Sequence, residues 1–575
     1  MWSYTPPLRA MQFVIEDVLQ APPAWRSMPA FAEIDAPIAR AVLEEAGKFA
    51  AGVLAPINGK ADLDGCTWRD CGVTTPAGYR EAYAAFIEQG WAALACDPED
   101  GGQGLPAMLN AAFNEMIAAA NHGWTMYPGL LHGAYECLRA HGSSELKQRY
   151  LTKLASGEWL ATMNLTEPQA GSDLALVRSK ADPRPDGSYR LTGSKIFISG
   201  GEHDLTDNIV HFVLARLPDA PSGTKGISLF LAPKVLSDGS RNAIRCDGIE
   251  KKMGIKGSAT CAMNFDGATG WLLGEPNRGL AAMFVMMNSA RLQVGLQGLG
   301  HLEAAHQNAR AYALERVQGR GQPLAAHPAI RHILWHLRAQ VDAGRVLAYW
   351  CAALIDESHH DQDAACRQAA DARVGLLTPV VKAFLTDLGH RGADDALQVW
   401  GGYGYVHEYG IEQTVRDSRI AMIYEGTNEV QAIDLLQRKV LADGGAQLQT
   451  LLSMLDTDVN AMPAALADLA AALRAQTVAA RKATQALIAG QMADPEWPLR
   501  VADDYLRALG LTLFGWAWCR IARAAAAVTD DDWCADALSA ARYGIEWLLP
   551  EATWRWQRIS RREAVLQSIA SQRKI

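Results

Sequence analysis

The residue in this sequence best placed for proton chemistry is Glu425, in the run Ile423-Tyr424-Glu425-Gly426-Thr427-Asn428. It is a lone carboxylate between an apolar stretch and a glycine. Apolar surroundings disfavour the charged form of a carboxyl and raise its pKa, which suits a general base. The plainer alternative is a glutamate that ends a helix before Gly426, and the local residues leave both open. Upstream, Gly401-Gly402-Tyr403-Gly404 forms a glycine-broken turn where backbone can approach a ligand without Cβ obstruction. A second stretch, Asn164-Leu165-Thr166-Glu167-Pro168-Gln169-Ala170-Gly171-Ser172-Asp173, leads from a strand into a loop that offers N–H groups and hydroxyls to a polar ligand edge. A third, Lys195-Ile196-Phe197-Ile198-Ser199-Gly200-Gly201, reads as a strand ending in a glycine pair. Phe197 within it is suited either to lie against a planar ring or to pack in a core.

These stretches need a scaffold. At 575 residues the chain is too long for one core, and three or four domains are expected. Hydrophobic residues make up 49% and charged residues 20%, as in ordinary soluble proteins, and a net charge of -9 gives no global reason to expect nucleic acid or a membrane surface. Ten cysteines are scattered from Cys66 to Cys534 without a CxxC pair, which reads as reduced thiols rather than a disulfide frame or a zinc site. The start, MWSYTPPLRAMQF, lacks signal-peptide character, and the most apolar late stretch, residues 508–518, is too short to span a bilayer. A cytoplasmic protein with no membrane span is the expectation.

Residues 1–40 read as an N-terminal extension punctuated by Pro6-Pro7 and Pro22-Pro23, with one short amphipathic segment at 11–19. Helical periodicity marks residues 41–158, with helices expected at 79–89, 107–120 and 144–155 and a polar, glycine-rich break at 56–78. At Trp159 the period changes. Short β-branched or aromatic-rich runs at 159–165, 189–191, 195–198, 209–215, 226–232 and 259–266 predict an antiparallel middle domain over 159–275. Residues 279–441 return to helix: a long apolar helix at 283–302, another reaching Arg316, then helices at 328–358 and 361–389. An alanine-rich helical region fills 447–575.

Taken in register, TEPxAGSD at 166–173, the lysine-led strand at 195–201, GGxGY at 401–405 and IYEGTN at 423–428 closely resemble the acyl-CoA dehydrogenase family. The likeness covers residues 40–440. The segment Tyr4-Thr5-Pro6-Pro7-Leu8-Arg9 and the helical C-terminal region look like a long subgroup that includes 3-methylmercaptopropionyl-CoA and bacterial fatty acyl-CoA dehydrogenases. The resemblance implies an α+β fold: an N-terminal helical domain, a middle β-barrel or sandwich, a C-terminal four-helix bundle and an extra helical domain. It also implies FAD, α,β-dehydrogenation of an acyl-CoA to the trans-2-enoyl-CoA with hydride passing to flavin N5, electron-transfer flavoprotein as partner, and a homodimer.

On that resemblance Glu425 matches the base that takes the α-proton. Some relatives carry it before an arginine on the long helix, but here Ala290 precedes Arg291. Ser172, Asn288, Arg291 and Gly426 match substrate-binding positions. Met163, Leu165, Thr166 and Ser172 match residues around the flavin ring, with Phe197 and Ser199 on its other side. Phe197 stands where tryptophan is common, keeping the stacking face without the indole N–H. Arg316, Gln318, Gln398 and Gly402 match a segment that reaches the FAD pyrophosphate of the neighbouring subunit, and Thr427 and Glu429 match residues near the adenosine half.

Three other readings compete. His332 and His336, spaced i, i+4, share a helix face, but without HExxH or a nearby acid a packing pair is expected rather than a metal site. Residues 554–575 carry Arg555, Arg558, Arg561, Arg562, Arg573 and Lys574 against one acid, Glu563, with Trp554 and Trp556 interleaved. That invites a DNA-associated flavoprotein, yet the spacing gives a single helix stripe, the usual pattern of a solvated or interdomain face. An acyl-CoA oxidase would share the fold, but the pattern at 168–173 looks more like the dehydrogenases.

Overall fold

The structure, a computed structural model, describes residues 1–319, 321–528 and 531–560. It divides into two compact units. A sheet unit comprises Glu45–Leu105 and Met116–Gln293; a helical unit comprises Met1–Glu44, Pro106–Glu115 and the described residues from Val294 onward. Three helices contribute residues to both: Ala36–Phe49, α1 (Ala107–Thr125) and α2 (Gly279–Glu315).

The sheet unit is built on seven strands: β1 (Leu160–Asn164), β2 (Lys180–Pro183), β3 (Tyr189–Ser199), β4 (Ile209–Ala215), β5 (Ser228–Pro233), β6 (Ile244–Ile249) and β7 (Thr260–Leu273). Their order is β1-β4-β5-β7-β3-β2, with β6 also paired to β7. Strand β7 is long enough to serve two neighbours on one edge, β6 along residues 261–265 and β5 along residues 271–273, while β3 follows its other edge. Strands β4 and β5 are buried throughout, which explains their largely apolar character, interrupted only by His211 and Ser228. An aromatic cluster, Phe49, Phe86 and Trp124, anchors the unit's helical part, with ring centroids 5.4 to 6.3 Å apart.

The helical unit rests on α3 (Pro328–His360) and α4 (Ala364–Trp400). Its later helices include α5 (Asn428–Ile433), α6 (Trp497–Ala526) and α7 (Pro550–Ile559). Helix α6 packs on the bundle through Trp350–Trp516 and Phe384–Phe514, whose centroids are 4.5 and 4.8 Å apart. Ion pairs from Arg507 of α6 to Asp387 of α4 and Glu551 of α7 stitch the same junction. Deeper, Arg345 is fully buried between Glu115 and Glu303, with Tyr349 donating to Glu115. Removing one partner of such a cluster leaves an uncompensated charge, which costs far more than the intact cluster contributes.

Several expectations change. The strands at 189–191 and 195–198 are one strand, β3, because Thr192–Ser194 keep the extended pairing to β7. Strands β2 and β6 were not marked by alternation, and the β1–β4 pair is parallel, so the sheet is mixed rather than wholly antiparallel. The polar break at 56–78 contains a helix, Ala55–Asp64, and a hairpin of Thr67–Arg69 with Gly72–Thr74. The two helices expected between 283 and 316 are the single α2, and α4 runs past Gly389 to Trp400 through an interior Pro379. His332 is exposed and meets Tyr543, and His336 accepts from Gln340; among the described residues no cluster of metal-ligating side chains occurs. Arg555 pairs with Asp504 and Glu551 and is largely covered, while Arg558 pairs with Asp504 from an exposed position. Arg561, Arg562, Glu563, Arg573 and Lys574 lie outside the described residues. Among the described residues no helix is long and apolar enough to cross a membrane.

Candidate functional site

Glu425 does not end a helix. It occupies a bend with φ of +57°, a left-handed conformation that costs a non-glycine residue about 1–3 kcal/mol, and Gly426 follows at +84°. The surrounding structure holds that conformation. Lys382, fully buried on α4, donates to the Gly426 carbonyl at 2.8 Å and to Asn428 Oδ1 at 3.0 Å. Asn428 donates onward to Ala383 O and Thr386 Oγ1, and Gln431 Nε2 reaches back to Glu425 O at 2.9 Å. Tyr424 donates its hydroxyl to Gln297 of α2; burial, and then the Glu425 charge, raise its pKa well above the usual phenol range. Thr427 caps α5, its Oγ1 accepting from Val430 N, and Glu429 lies in the first turn. Backbone N–H and the Thr427 hydroxyl hold the Glu429 carboxyl below its ordinary value. Glu425 itself is half-buried on this locked turn.

The sheet unit carries a second strained residue. Pairing between β3 and β7 jumps from Lys195↔Met263 to Ile198↔Cys261, so Ile196 and Phe197 together oppose Ala262. Such a bulge bends the strand and re-aims one side chain. Phe197 has φ of +60°, and its ring is 60% exposed. Behind it Lys195 is fully buried, donating to Glu167 at 2.8 Å and to Leu165 O at 3.1 Å. Glu167 also accepts from Ser179 Oγ and from the N–H groups of Arg178 and Ser179. Burial pushes this carboxyl up, but Lys195 and those donors outweigh it and hold the pKa at about 2. Burial lowers Lys195 to about 8 despite Glu167, so both groups are charged at neutral pH. Ile196 N–H donates to Thr166 O at 3.0 Å, tying the bulge to the loop after β1. Around it, Met163 is buried, Leu165, Thr166 and Ser199 are half-buried, and Ser172 is exposed beside Asp173, which caps a short turn.

A cavity of about 780 Å³ in the helical unit gathers Arg316, Gln318, Gln398 and Gly402, four residues separated by up to 86 positions in sequence. Tyr312, Trp400, Tyr403 and Tyr409 line it too. Tyr312 stacks on Trp400 at 4.1 Å, and Arg316 lies 5.1 Å over the Tyr403 ring. A Cβ added at Gly401 or Gly402 would meet nothing within 4 Å, so this wall is open backbone. A guanidinium, two side-chain amides and open glycine backbone fit an anionic ligand, and the exposed Phe197 ring fits a planar one. Each unit therefore presents groups that fit one part of a flavin dinucleotide: the helical unit an anionic moiety, the sheet unit a planar one.

Glu425, Thr427, Glu429 and the cavity residues belong to the helical unit. Phe197, Ser199, Met163, Leu165, Thr166, Ser172, Asn288 and Arg291 belong to the sheet unit. Asn288 is exposed and Arg291 is 7% exposed, both on the part of α2 in that unit. Sequence reasoning missed Lys382, Asn428 and Gln431, which hold the Glu425 turn, and Glu167, which anchors Lys195. For Lys382 a signal existed: a lone lysine in the apolar run Val380-Val381-Lys382-Ala383-Phe384, where a charge demands a buried partner.

Comparison with known proteins bears on the whole chain. Family models match four consecutive stretches: the acyl-CoA dehydrogenase N-terminal domain over residues 37–158, the middle domain over 162–268, the C-terminal domain over 277–440 and an acetyl-CoA dehydrogenase C-terminal-like domain over 446–569. The chain is 42% identical over 466 residues to 3-methylmercaptopropionyl-CoA dehydrogenase of Ruegeria pomeroyi, covering 79% of each protein. The chain belongs to the acyl-CoA dehydrogenase family. This acyl-CoA dehydrogenase is also 36% identical over 422 residues to a butyryl-CoA dehydrogenase of Syntrophomonas wolfei, covering 69% of each. Its fold, including the added C-terminal helices, is that of Caenorhabditis elegans ACDH-11, solved in complex with C11-CoA: TM-score 0.82, 18% identity, covering 100% of this chain and 96% of the other. It is accordingly an oxidoreductase of a flavoprotein family.

Proposed function

We propose that this enzyme oxidises the Cα–Cβ bond of a straight-chain acyl-CoA thioester to the trans-2-enoyl-CoA, with FAD as resident cofactor and Glu425 as base. The observation that carries this proposal is the Glu425 turn: a carboxylate on strained backbone, locked from behind by Lys382, Asn428 and Gln431. Strain of that kind persists only where the surroundings over-determine it, and it concentrates at functional sites. Flavin, when bound, supplies the two-electron acceptor for the hydrogen leaving Cβ. The chain supplies everything else. Glu425 takes the α-proton, and its backbone N–H holds the thioester carbonyl where negative charge develops. Arg291, Asn288, Ser172 and Gly426 bind the acyl-CoA.

Phe197 and Ser199 flank one face of the ring, and Met163, Leu165, Thr166 and Ser172 the other. Thr427 and Glu429 serve the adenosine half. Arg316, Gln318, Gln398 and Gly402 hold the pyrophosphate of a partner subunit's FAD, which makes a homodimer the working unit. An electron-transferring flavoprotein takes the electrons onward, and oxidation takes place in the cytoplasm.

Anaerobic titration of the flavin-loaded protein with acyl-CoAs from butyryl to palmitoyl, and with 3-methylmercaptopropionyl-CoA, tests the reaction class. Bleaching of the flavin with loss of two hydrogens from the thioester, read by mass spectrometry, is expected for one chain-length class. Flavin that no thioester bleaches would contradict the proposal.

A further inference from the structure

The segment Trp2-Ser3-Tyr4-Thr5 is bound almost entirely through its backbone. Asn308 on α2 grips Ser3 at two points: Ser3 N–H donates to Oδ1 at 3.0 Å, and Nδ2 donates to Ser3 O at 2.8 Å. Gln307 repeats the pattern on Thr5, with the N–H donating to Oε1 at 3.0 Å and Nε2 donating to Thr5 O at 2.8 Å. Between them Tyr4 is 7% exposed, its phenol pushed up by burial and by the charges of Glu115 and Glu303. Trp2 N–H donates to Tyr409 O at 2.7 Å. Successive side-chain amides reading a backbone this way hold an extended segment in one register.

Of the residues that hold the segment, Gln307 and Asn308 lie outside the lining of the glycine-walled cavity and Tyr409 is part of it. The carbonyl of Asn308 accepts from Trp400 Nε1 at 3.1 Å, and Trp400 carries Tyr312 stacked on it. Tyr409, held by Trp2, sets its ring edge against Tyr403 at 5.1 Å, and Tyr403 in turn underlies Arg316. Tyr312, Trp400, Tyr403, Tyr409 and Arg316 all line the cavity.

We infer that residues 2–5 are a positioning element for cofactor binding: the segment fixes Asn308 and Tyr409, and through Trp400 and Tyr403 it keeps Arg316 and the Gly401–Gly402 wall in the geometry that takes a dinucleotide pyrophosphate. The inference rests on the assignment of that cavity to FAD made above. None of residues 2–5 is asked to touch the cofactor; their effect is on its affinity, not on the chemical step.

The test removes the gripped N–H groups and leaves every cavity side chain in place. Ser3→Pro and Thr5→Pro together delete the two donors to Asn308 and Gln307. Apoprotein prepared from the full chain is titrated with FAD and followed by quenching of flavin fluorescence. The double variant is expected to bind FAD about tenfold more weakly, the scale of one or two lost hydrogen bonds. At saturating FAD its turnover should stay within about twofold of wild type, a split that a general loss of fold would not give. Asn308→Ala, which opens the grip on Ser3 from the other side, should lower FAD affinity in the same direction. Equal FAD affinity in wild type and the double variant would overturn this inference alone. Loss of the unfolding transition in both variants would overturn it in favour of a purely structural strap. Wild-type protein that takes up no FAD would overturn the assignment beneath it as well.

Discussion

The Glu425 turn and the Phe197 bulge solve one problem with different chemistry. Each presents a non-glycine side chain from left-handed backbone, at φ of +57° and +60°, and each has a fully buried lysine behind it. In the sheet unit Lys195 is held by a carboxylate, Glu167, which collects four further protein donors. In the helical unit Lys382 bonds a backbone carbonyl and an asparagine amide. The bulge is thus anchored by an ion pair, and the turn by a cage in which Lys382 reaches the Gly426 carbonyl and the Asn428 side chain. That cage sets several atoms of one turn at once.

The largest stability effect expected is Lys195→Met, which leaves Glu167 buried beside no cation and costs about 3–5 kcal/mol in urea unfolding. A loss as small as that of a surface substitution would break the contrast. Lys382→Met comes next, at about 1–3 kcal/mol for the oxygens left without their donor. It should also lower turnover, because the turn bearing Glu425 loosens; unchanged turnover in a folded variant would show that the cage is dispensable. Acid should separate the two anchors. The Glu167 pKa is held at about 2 against 4.5 for a free glutamate, so its stabilisation is fully present above about pH 4.5 and declines as pH falls toward 2. Glu167→Gln should flatten that part of the stability–pH profile, and a profile identical to wild type would contradict it. The smallest effect is Phe197→Gly: relief of left-handed strain offsets lost packing, stability stays within about 1 kcal/mol, and flavin is retained less well.

Much of this was legible in the residues, for unequal reasons. Apolar runs and a change of period at Trp159 located most of the long helices and most of the strands, because burial is written in side-chain polarity. Glu425 stood out as a lone carboxylate next to glycine, but its neighbours left a helix-end reading open, and only the register of four motifs favoured a base. The positive φ at Phe197 was not, since a bulge is decided by pairing with β7, sixty-odd residues away, and Ile-Phe-Ile reads as plain strand. Gln318 and Gln398 come together only through the fold of α2 and α4. The grip of Gln307 and Asn308 on Ser3 and Thr5 is invisible in sequence for the same reason: amides on a helix carry no sign of the backbone they will bind.

The account stands or falls on the Glu425 carboxylate. Single-turnover bleaching of the bound flavin by a saturating acyl-CoA, compared between wild type and Glu425→Gln at equal flavin content, isolates it. Loss of a general base predicts a fall of about 10²–10⁴-fold in the bleaching rate with flavin binding unchanged. A glutamine variant that bleaches within a few-fold of wild type would contradict the assignment and send the search for the base elsewhere in the chain.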